Sequence, residues 1–398
     1  MENNISKIHN CAGCFSCGDI CPKGAISYIK KSDGFLYPKI DKNKCVNCGK
    51  CIRICPQLNQ KLNNDYKQKG YISYSKDKNN YFNSASGGIF SELATYFLNN
   101  NGLVYGVAFD DNLKVKHTKI ERISELEKIQ RSKYVQSNAT GIYNDCKKEL
   151  DNGKMILFSG TPCQISALKN YLNKDYKNLL TCDIVCHGVP SQDMFDKCIE
   201  LENKKENGKI IKFDFRYKCK KNTSPRNFRY ILEKNGKQKE KIGNHYEFPF
   251  LVGFYKYLIL RNSCYSCKYA NMKRVGDLTL GDYWEAKDKF GKDKGISMIV
   301  VNTQKGQTFL NRINKNLFLK EEDIKLIKNG NETFNRPTKK PNNRKEYLNM
   351  YNDNFNEVVD TFLKVKHKQI LDIYYGMPNH IKLIIKRILD SKILNKFW

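Results

Sequence analysis

The chain has no run of about 18 apolar residues, the least that lets a helix cross a bilayer. It opens with no secretory leader, so we expect a cytoplasmic protein whose thiols stay reduced. Neither G-x-G-x-x-G nor G-x4-G-K-[ST] occurs, which removes a Rossmann dinucleotide site and a P-loop. Carboxylates are the scarce charge: 41 Asp and Glu stand against 70 Lys and Arg, a formal net charge of +29. Such an excess suits a polyanionic partner. The lysines are spread through nearly every segment, however, and no nucleic-acid motif accompanies them. We therefore read them as keeping solvated faces soluble, and expect no nucleic acid.

Cysteine, by contrast, is plentiful, with 16 in 398 residues. Half of them fall in two copies of one ladder. Cys11, Cys14, Cys17 and Cys21-Pro22 read C-x2-C-x2-C-x3-C-P, and Cys45, Cys48, Cys51 and Cys55-Pro56 repeat it. This is the ligand spacing of a two-cluster bacterial ferredoxin with two [4Fe–4S] cubanes. Three close thiolates converge on one cube, and the fourth, before proline, reaches the other. Cys11, Cys14 and Cys17 therefore pair with Cys55, and Cys45, Cys48 and Cys51 with Cys21. Structural zinc would leave the third close cysteine of each ladder without a role. Disulfides would need an oxidising compartment. Between the ladders, Ala25–Ile29 and Phe35–Ile40 flank Ser32-Asp33-Gly34 and read as a short hairpin.

Residues 57–69 are polar and read as a linker. Beyond them the pattern alternates. Strands are expected at 71–74, 103–109, 155–158, 179–185 and 278–280, and helices at 88–98, 124–130, 141–151, 163–172 and 191–207. Segments 210–218 and 228–234, with Asn235-Gly236 as a hairpin turn, read as antiparallel additions. After Pro341 the pattern is helical. The fold class is thus α+β or α/β. A ferredoxin-like domain (1–60) precedes a mixed α/β domain (70–335) and a helical, basic C-terminal region (340–398).

Four further cysteines stand at telling places. Cys163 follows a strand in Ser159-Gly-Thr-Pro-Cys163 and opens a helix. Cys186-His187-Gly188 follows the next strand, and Cys264-Tyr-Ser-Cys267 sits in a loop. Carboxyl ends of neighbouring strands are where open α/β sheets place their sites. These thiols suit a third [4Fe–4S] cluster. They equally suit buried small hydrophobes, and Cys163 with His187 suits a nucleophile and base. Gly87 and Gly88 open a helix where a phosphate could be cradled, or make a plain turn. Arg131-Ser-Lys133-Tyr134 joins cations, a hydroxyl and a ring, as a flavin site or a surface loop would.

Taken together, Ser86-Gly-Gly-Ile-Phe90, Ser132-Lys-Tyr134, Gly160-Thr-Pro-Cys-Gln164, Cys186-His-Gly188, Cys264-x2-Cys267-x-Tyr-Ala270 and Asp277–Trp284 occur in the order found in one family. From about Tyr71 to about Asn335 the chain resembles the coenzyme F420 hydrogenase/dehydrogenase beta-subunit family. The resemblance implies an iron–sulfur flavoprotein oxidoreductase. It implies FAD near Gly87, Gly88, Lys133 and Tyr134, and a [4Fe–4S] cluster held by Cys163, Cys186, Cys264 and Cys267, with Cys182 outside the set. Members pass electrons between clusters and a two-electron carrier such as F420. The Cys186-His-Gly-Val-Pro-Ser191 version, behind a ferredoxin, resembles a bacterial branch found near polysaccharide-biosynthesis genes, which makes a metabolite of that pathway the other substrate class.

The expectation is a chain that takes single electrons from a donor protein and delivers them in pairs, with His187 the candidate proton donor or a support of the cluster. The alternative is a non-enzymatic subunit that relays electrons to a partner complex. Near the C-terminus, Ile381, Ile384, Ile385, Ile388 and Leu389 recur at helical spacing opposite Lys382, Lys386 and Arg387. This suits a last helix packed on its own domain or on a partner subunit, a second copy of the chain included. Peripheral contact with anionic lipid is the alternative.

Overall fold

The computed structural model describes residues 3–60, 62, 66–219, 226–283, 295–365 and 368–377. The apolar-and-basic pattern at 381–389 and Trp284 lie outside the described residues.

The ferredoxin-like module is built from the ladders. Each places a one-turn helix inside it, Ser16–Asp19 in the first and Lys50–Arg53 in the second. The residues before those turns, Phe15 and Gly49, both adopt left-handed backbone, with φ of 68° and 70°. That shared reversal brings the close cysteines of each ladder round to one side. Strands β1 (Ile26–Lys30) and β2 (Leu36–Ile40) form the expected antiparallel hairpin. Its tip lies against the rest of the chain: a Cβ on Gly34 would meet the hydroxyls of Ser191 and Tyr351 at 2.9 Å.

The larger unit is organised on a mixed sheet of strands β3 (Lys69–Ser75), β4 (Leu103–Phe109), β5 (Val115–Ile120), β6 (Ile156–Gly160) and β7 (Leu179–Ile184), with three later ones described below. A separate antiparallel meander contains β8 (Lys209–Asp214), β9 (Asn227–Lys234) and β10 (Lys237–Asn244). The main sheet is completed by β11 (Leu278–Asp282), β12 (Ser297–Val301) and β13 (Leu317–Glu322), in the order β13-β3-β12-β11-β7-β6-β4-β5. The run β11-β7-β6-β4 is parallel and the flanks are antiparallel. Ile156-Leu-Phe158 and Leu179-Leu180 are apolar without alternation because both faces of these strands are covered. Helices Ile89–Asn99 and Gln304–Ile313 cover one face, where Leu93, Phe97, Phe309 and Leu310 are buried. Each such side chain contributes roughly 1.5–3 kcal/mol. Helices Ile142–Asp151 and Pro162–Leu172 cover the other, and Cys14 and Phe15 of the module pack into that layer.

Two expected elements are shorter than their sequence pattern. The strand expected over 210–218 stops at Asp214, where Arg229 of β9 pairs with the Asp214 carboxylate at 2.6 Å, and Arg216 beyond it turns inward. The helix expected over 124–130 is a 3-10 turn, Ile123–Glu125, then one α-turn, Leu126–Ile129. The polar stretch 57–69 is also partly anchored: Gln57 is buried, and Gln68 donates to Met272 O and Asn302 Oδ1 at 2.8 and 2.7 Å. Past Pro341 the described elements include helices Arg344–Met350, Phe355–Val358 and Lys368–Gly376. No helix among the described residues is long and apolar enough to cross a membrane.

Candidate iron–sulfur and cofactor site

The module contains two small cavities. One is lined by Cys11, Cys14, Cys17 and Cys55, the other by Cys21, Cys45, Cys48 and Cys51. Each thus joins three cysteines of one ladder to the last of the other, with no disulfide among them. Backbone N–H groups point at sulfur, Gly13 at Cys11 and Ala25 at Cys21, both at 3.3 Å. Burial pushes the Cys14 thiol up to about 12, so without a cation it stays protonated. Iron charge would reverse that. Four thiols around a mostly apolar space, with amide donors to sulfur, fit a cubane. Among the described residues no three His, Cys, Asp or Glu side chains converge on a single-ion position.

The module is fixed to the larger unit by buried polar contacts. Tyr143 OH donates to Cys14 O at 2.7 Å, and Tyr269 OH to Pro56 O at 2.6 Å. Arg261, fully buried, donates from Nε to Cys11 O, from Nη1 to Gln136 Oε1 and from Nη2 to Leu36 O, at 2.7, 2.8 and 2.9 Å. Gln136 in turn donates to Ala12 O and Gly13 O.

A cavity of about 1180 Å³ lies against that seam. Ala12 and Gln57 line it from the module side, and Cys163, Cys186, Cys264 and Cys267 line it from the larger unit. Cys163 reaches it because the helix begins at Pro162 after β6, held by a Thr161–Gln164 capping box. Cys186 leaves β7 in a loop whose Gly188, at φ 122°, passes so close that a Cβ would sit 3.0 Å from Cys264 Cβ. Burial pushes all four thiols up, and further rises come from within the set: Cys163 is pushed by Cys186 and Cys267, and Cys186 by Cys264 and Cys267. Cys182 also borders the cavity. Its thiol is raised by burial and then by the carboxylates Asp183 and Asp277, not by those cysteines.

The remaining sequence candidates divide. Gly88, Lys133, Tyr134 and His187 line the cavity. Gly87 lies behind it, its N–H donating to Ser297 Oγ at 2.9 Å. Lys133 Nζ donates to the carbonyls of Lys128 and Gln130 at 3.0 and 2.5 Å, and burial pushes its ammonium down to about 7. The Tyr134 ring stacks on Phe254 with centroids 4.6 Å apart. Thr338 donates to the carbonyl of His187, and burial pushes the His187 imidazole down, which favours its neutral form. Cys163 has Thr161 Oγ1 beside its sulfur at 3.1 Å. The nucleophile reading of Cys163 needs a lowered thiol, and burial moves this one the opposite way.

Apart from Arg131, sequence reasoning passed over the arginines. Arg216 donates from Nη1 to Tyr134 OH at 3.2 Å and to Asp282 Oδ2 at 2.9 Å, and from Nη2 to Ala85 O at 3.2 Å. Arg131 donates to Asn83 Oδ1 at 2.9 Å, and Arg274 is paired with Asp183 at 2.9 Å. With Arg226 they make the cavity wall predominantly cationic. A signal was present for Arg216: a charged residue closing the apolar alternation Phe213-Asp-Phe215-Arg216.

Residues 153–326 match the family model for the C terminus of the coenzyme F420 hydrogenase/dehydrogenase beta subunit. Residues 10–59 and 37–86 match 4Fe-4S dicluster models. The coenzyme F420-dependent sulfite reductase of Methanocaldococcus jannaschii is 23% identical over 366 residues, 88% of this chain and 53% of that protein. An F(420)H(2) dehydrogenase subunit of Methanosarcina mazei is 25% identical over 216 residues, 52% of this chain and 61% of that one. The alignments thus span between half and two thirds of these relatives' lengths. A chain of the F420-reducing [NiFe] hydrogenase complex from Methanosarcina barkeri aligns with TM-score 0.45 and 14% identity over 74% of this chain and 97% of that one. Residues 153–326 are thus similar to the C terminus of the coenzyme F420 hydrogenase/dehydrogenase beta subunit, and residues 10–59 to a 4Fe-4S dicluster domain.

Proposed function

We propose that the chain is an iron–sulfur flavoprotein oxidoreductase of the reducing cytoplasm, with all sixteen cysteines free. It takes electrons singly from a donor protein at residues 1–60 and hands them in pairs to a two-electron carrier or small-molecule substrate in the domain of residues 70–335. The observation that carries this reading is one cavity bordered by Ala12 and Gln57 of the module, by Cys163, Cys186, Cys264 and Cys267, and by Gly88, Lys133 and Tyr134. Its volume of about 1180 Å³ exceeds the roughly 300–1,000 Å³ of a single-ligand pocket.

When bound, [4Fe–4S] groups would supply one-electron chemistry and FAD the exchange between one- and two-electron steps. Cys11 to Cys55 would hold two clusters and Cys163, Cys186, Cys264 and Cys267 a third. Tyr143 and Arg261 fix the module against the cavity wall. Arg131, Arg216 and Arg226 would offer positive charge to a diphosphate, with Lys133 and Tyr134 beside them. His187, whose imidazole is pushed down by burial, would support the cluster beside Cys186, or donate a proton only against that burial. The F420-dependent relatives favour a deazaflavin acceptor, and a polysaccharide-pathway metabolite is the other class.

Anaerobic purification with a visible spectrum, an iron count and flavin extraction tests the proposal. About twelve irons and one flavin per chain are expected. Clusters without flavin would leave only a relay subunit, and no cluster absorbance would overturn the reading.

A further inference from the structure

The two ends of the dicluster module differ. The end with Cys11, Cys14, Cys17 and Cys55 is turned inward, where Tyr143, Gln136 and Arg261 hold the carbonyls of Cys11 to Cys14. The end with Cys45 and Cys48 faces out. Cys48 is exposed, and Val46 is 59% exposed, the most exposed large hydrophobic residue of the module. Lys23, Lys39, Lys42, Lys44, Lys50 and Arg53 of the same stretch are all exposed, against the single exposed carboxylate Asp41, which pairs with Lys44 at 3.8 Å. Lys23 and Lys50 border the same small cavity as Cys21, Cys45, Cys48 and Cys51. Arg53 is oriented by its bond to Cys48 O at 3.3 Å.

We propose that this outer end, Val46 and Cys48 with Lys23 and Lys50 at the same cavity and the exposed Lys42 and Lys44 just before them in sequence, is the docking face for a small acidic one-electron carrier protein. The inference rests on the electron-transfer reading above and names its donor side. An exposed apolar centre beside charge of one sign gives a small, fast-exchanging contact of the kind redox partners use, below about 1,200 Å². The charge steers encounter, and the apolar centre seats it. No aromatic residue occurs from Lys39 to Arg53, so the face offers no ring on which nucleobases could stack. It also lacks the broad apolar stripe of an interfacial helix. In the transfer the carrier is oxidised by one electron and the chain reduced by one, with no bond made or broken and no proton moved.

The test uses full-length chain, purified anaerobically, binding to an immobilised acidic 2[4Fe–4S] ferredoxin. The triple variants K42E/K44E/K50E and K42Q/K44Q/K50Q are compared with K237E/K239E, whose lysines are on β10. Expected is an association rate that falls with salt, drops about tenfold or more for the glutamate variant and less for the glutamine variant, and is unchanged for the β10 control. Equal rates in all variants would overturn the inference. So would equal losses in the control, which would assign the effect to overall charge. Loss of binding to phosphatidylglycerol vesicles alone would overturn it in favour of a lipid surface. Should the glutamate variant lose iron, the glutamine variant decides. Dithionite separates the two levels of the argument. If it bleaches no visible absorbance in the wild type, the electron-transfer reading falls and this inference with it. If it does bleach and the variants bind unchanged, only the docking face falls.

Discussion

The hydroxyl of Tyr143 donates to the carbonyl oxygen of Cys14 at 2.7 Å. Tyr143 is wholly buried, and burial raises its phenol well above the ordinary value, so it remains a donor at any physiological pH. The bond crosses from helix Ile142–Asp151, which covers one face of the parallel strands, to the turn that carries the first ladder. The position of the inner cysteines is thereby tied to the same helical layer that abuts the cavity.

Tyr143→Phe removes that donor and leaves the Cys14 carbonyl unsatisfied in a dry setting, at a local cost of about 1–3 kcal/mol. Amides around Gly13 to Gly18 should then exchange with solvent faster than in the wild type, while those of β6 and β7 do not change. Hydrogen exchange read by mass spectrometry checks this. Equal protection in the two proteins would mean that the bond does not hold the module.

Arg261 supplies three donors to three acceptors on two segments of the module and on Gln136. Its plane also lies over the Tyr37 ring, 4.3 Å from the centroid. Arg261→Met should destabilise this seam by more than about 3 kcal/mol, and Arg261→Lys should not restore it, because an ammonium cannot reproduce the fork. Limited trypsinolysis after Lys67 reports the outcome: both variants should release the module sooner than the wild type.

Much of the fold could be read locally. Leu103–Phe109 is the strand its sequence predicts, residue for residue, since a continuous apolar run between polar turns has few other uses in an α/β unit. Asn235-Gly236 turns with both φ positive, as a two-residue hairpin requires. Strands β5, β12 and β13 were not legible. Val115-Lys-His-Thr-Lys-Ile120 is lysine-rich, and β12 and β13 both take their place beside β3, far back in the sequence. The site divides in the same way. The two ladders from Cys11 to Cys55 were legible because their ligand spacing is a local property; Cys163, Cys186, Cys264 and Cys267 come from distant segments and were grouped only through the resemblance. The Arg216–Asp282 pair was not legible, because nothing in sequence says that the two meet. The Gly-Gly pair reads as one cradle, and the structure gives its members different surroundings: Gly88 borders the cavity and the Gly87 N–H is bonded to Ser297 Oγ.

For Gly87 the structure gives a packing reason. A Cβ there would lie 2.4 Å from Ser73 O and 2.8 Å from Ser297 N, both backbone atoms of paired strands. Neither can yield without parting β3 from β12, so Gly87→Ala should cost about 1–3 kcal/mol. A melting temperature lowered by several degrees checks it. An unchanged temperature would show that the strands give way.

His117 sets an acid limit. A carbonyl only accepts, so Nε2 carries the proton given to Ser159 O at 3.1 Å, and Nδ1 accepts from Ser137 Oγ at 2.9 Å. Burial pushes the imidazole down to about 4 from an ordinary 6.5. The unfolded chain therefore takes up this proton at a higher pH than the folded one. The contribution is constant above pH 6.5 and is lost as pH falls toward 4, on the order of 3 kcal/mol in all. His117→Gln should flatten that limb of urea midpoint against pH between 6.5 and 4, whatever it costs at neutral pH. A limb of unchanged slope would assign the acid sensitivity to other groups.

The four cysteines of the large cavity give the sharpest test, because Cys182 serves as an internal control. Cys264, in the 3-10 turn Asn262–Ser266, and Cys267 just after it border the same cavity as Cys163 and Cys186, which follow β6 and β7. Cys182 sits within β7, its sulfur 3.9 Å from Asp183 O and its nearest charges carboxylates. A cubane needs thiolates on all sides, so removing two of four should abolish it, whereas a cysteine outside the ring is dispensable. The double variant Cys264→Ala/Cys267→Ala should fall from about twelve irons per chain to about eight, and Cys182→Ala should keep about twelve. The ferredoxin ladders are untouched in both, so the remaining absorbance serves as the folding control. Iron unchanged in the double variant would reduce these four residues to buried thiols, and a loss in Cys182→Ala equal to that in the double variant would redraw the ligand set.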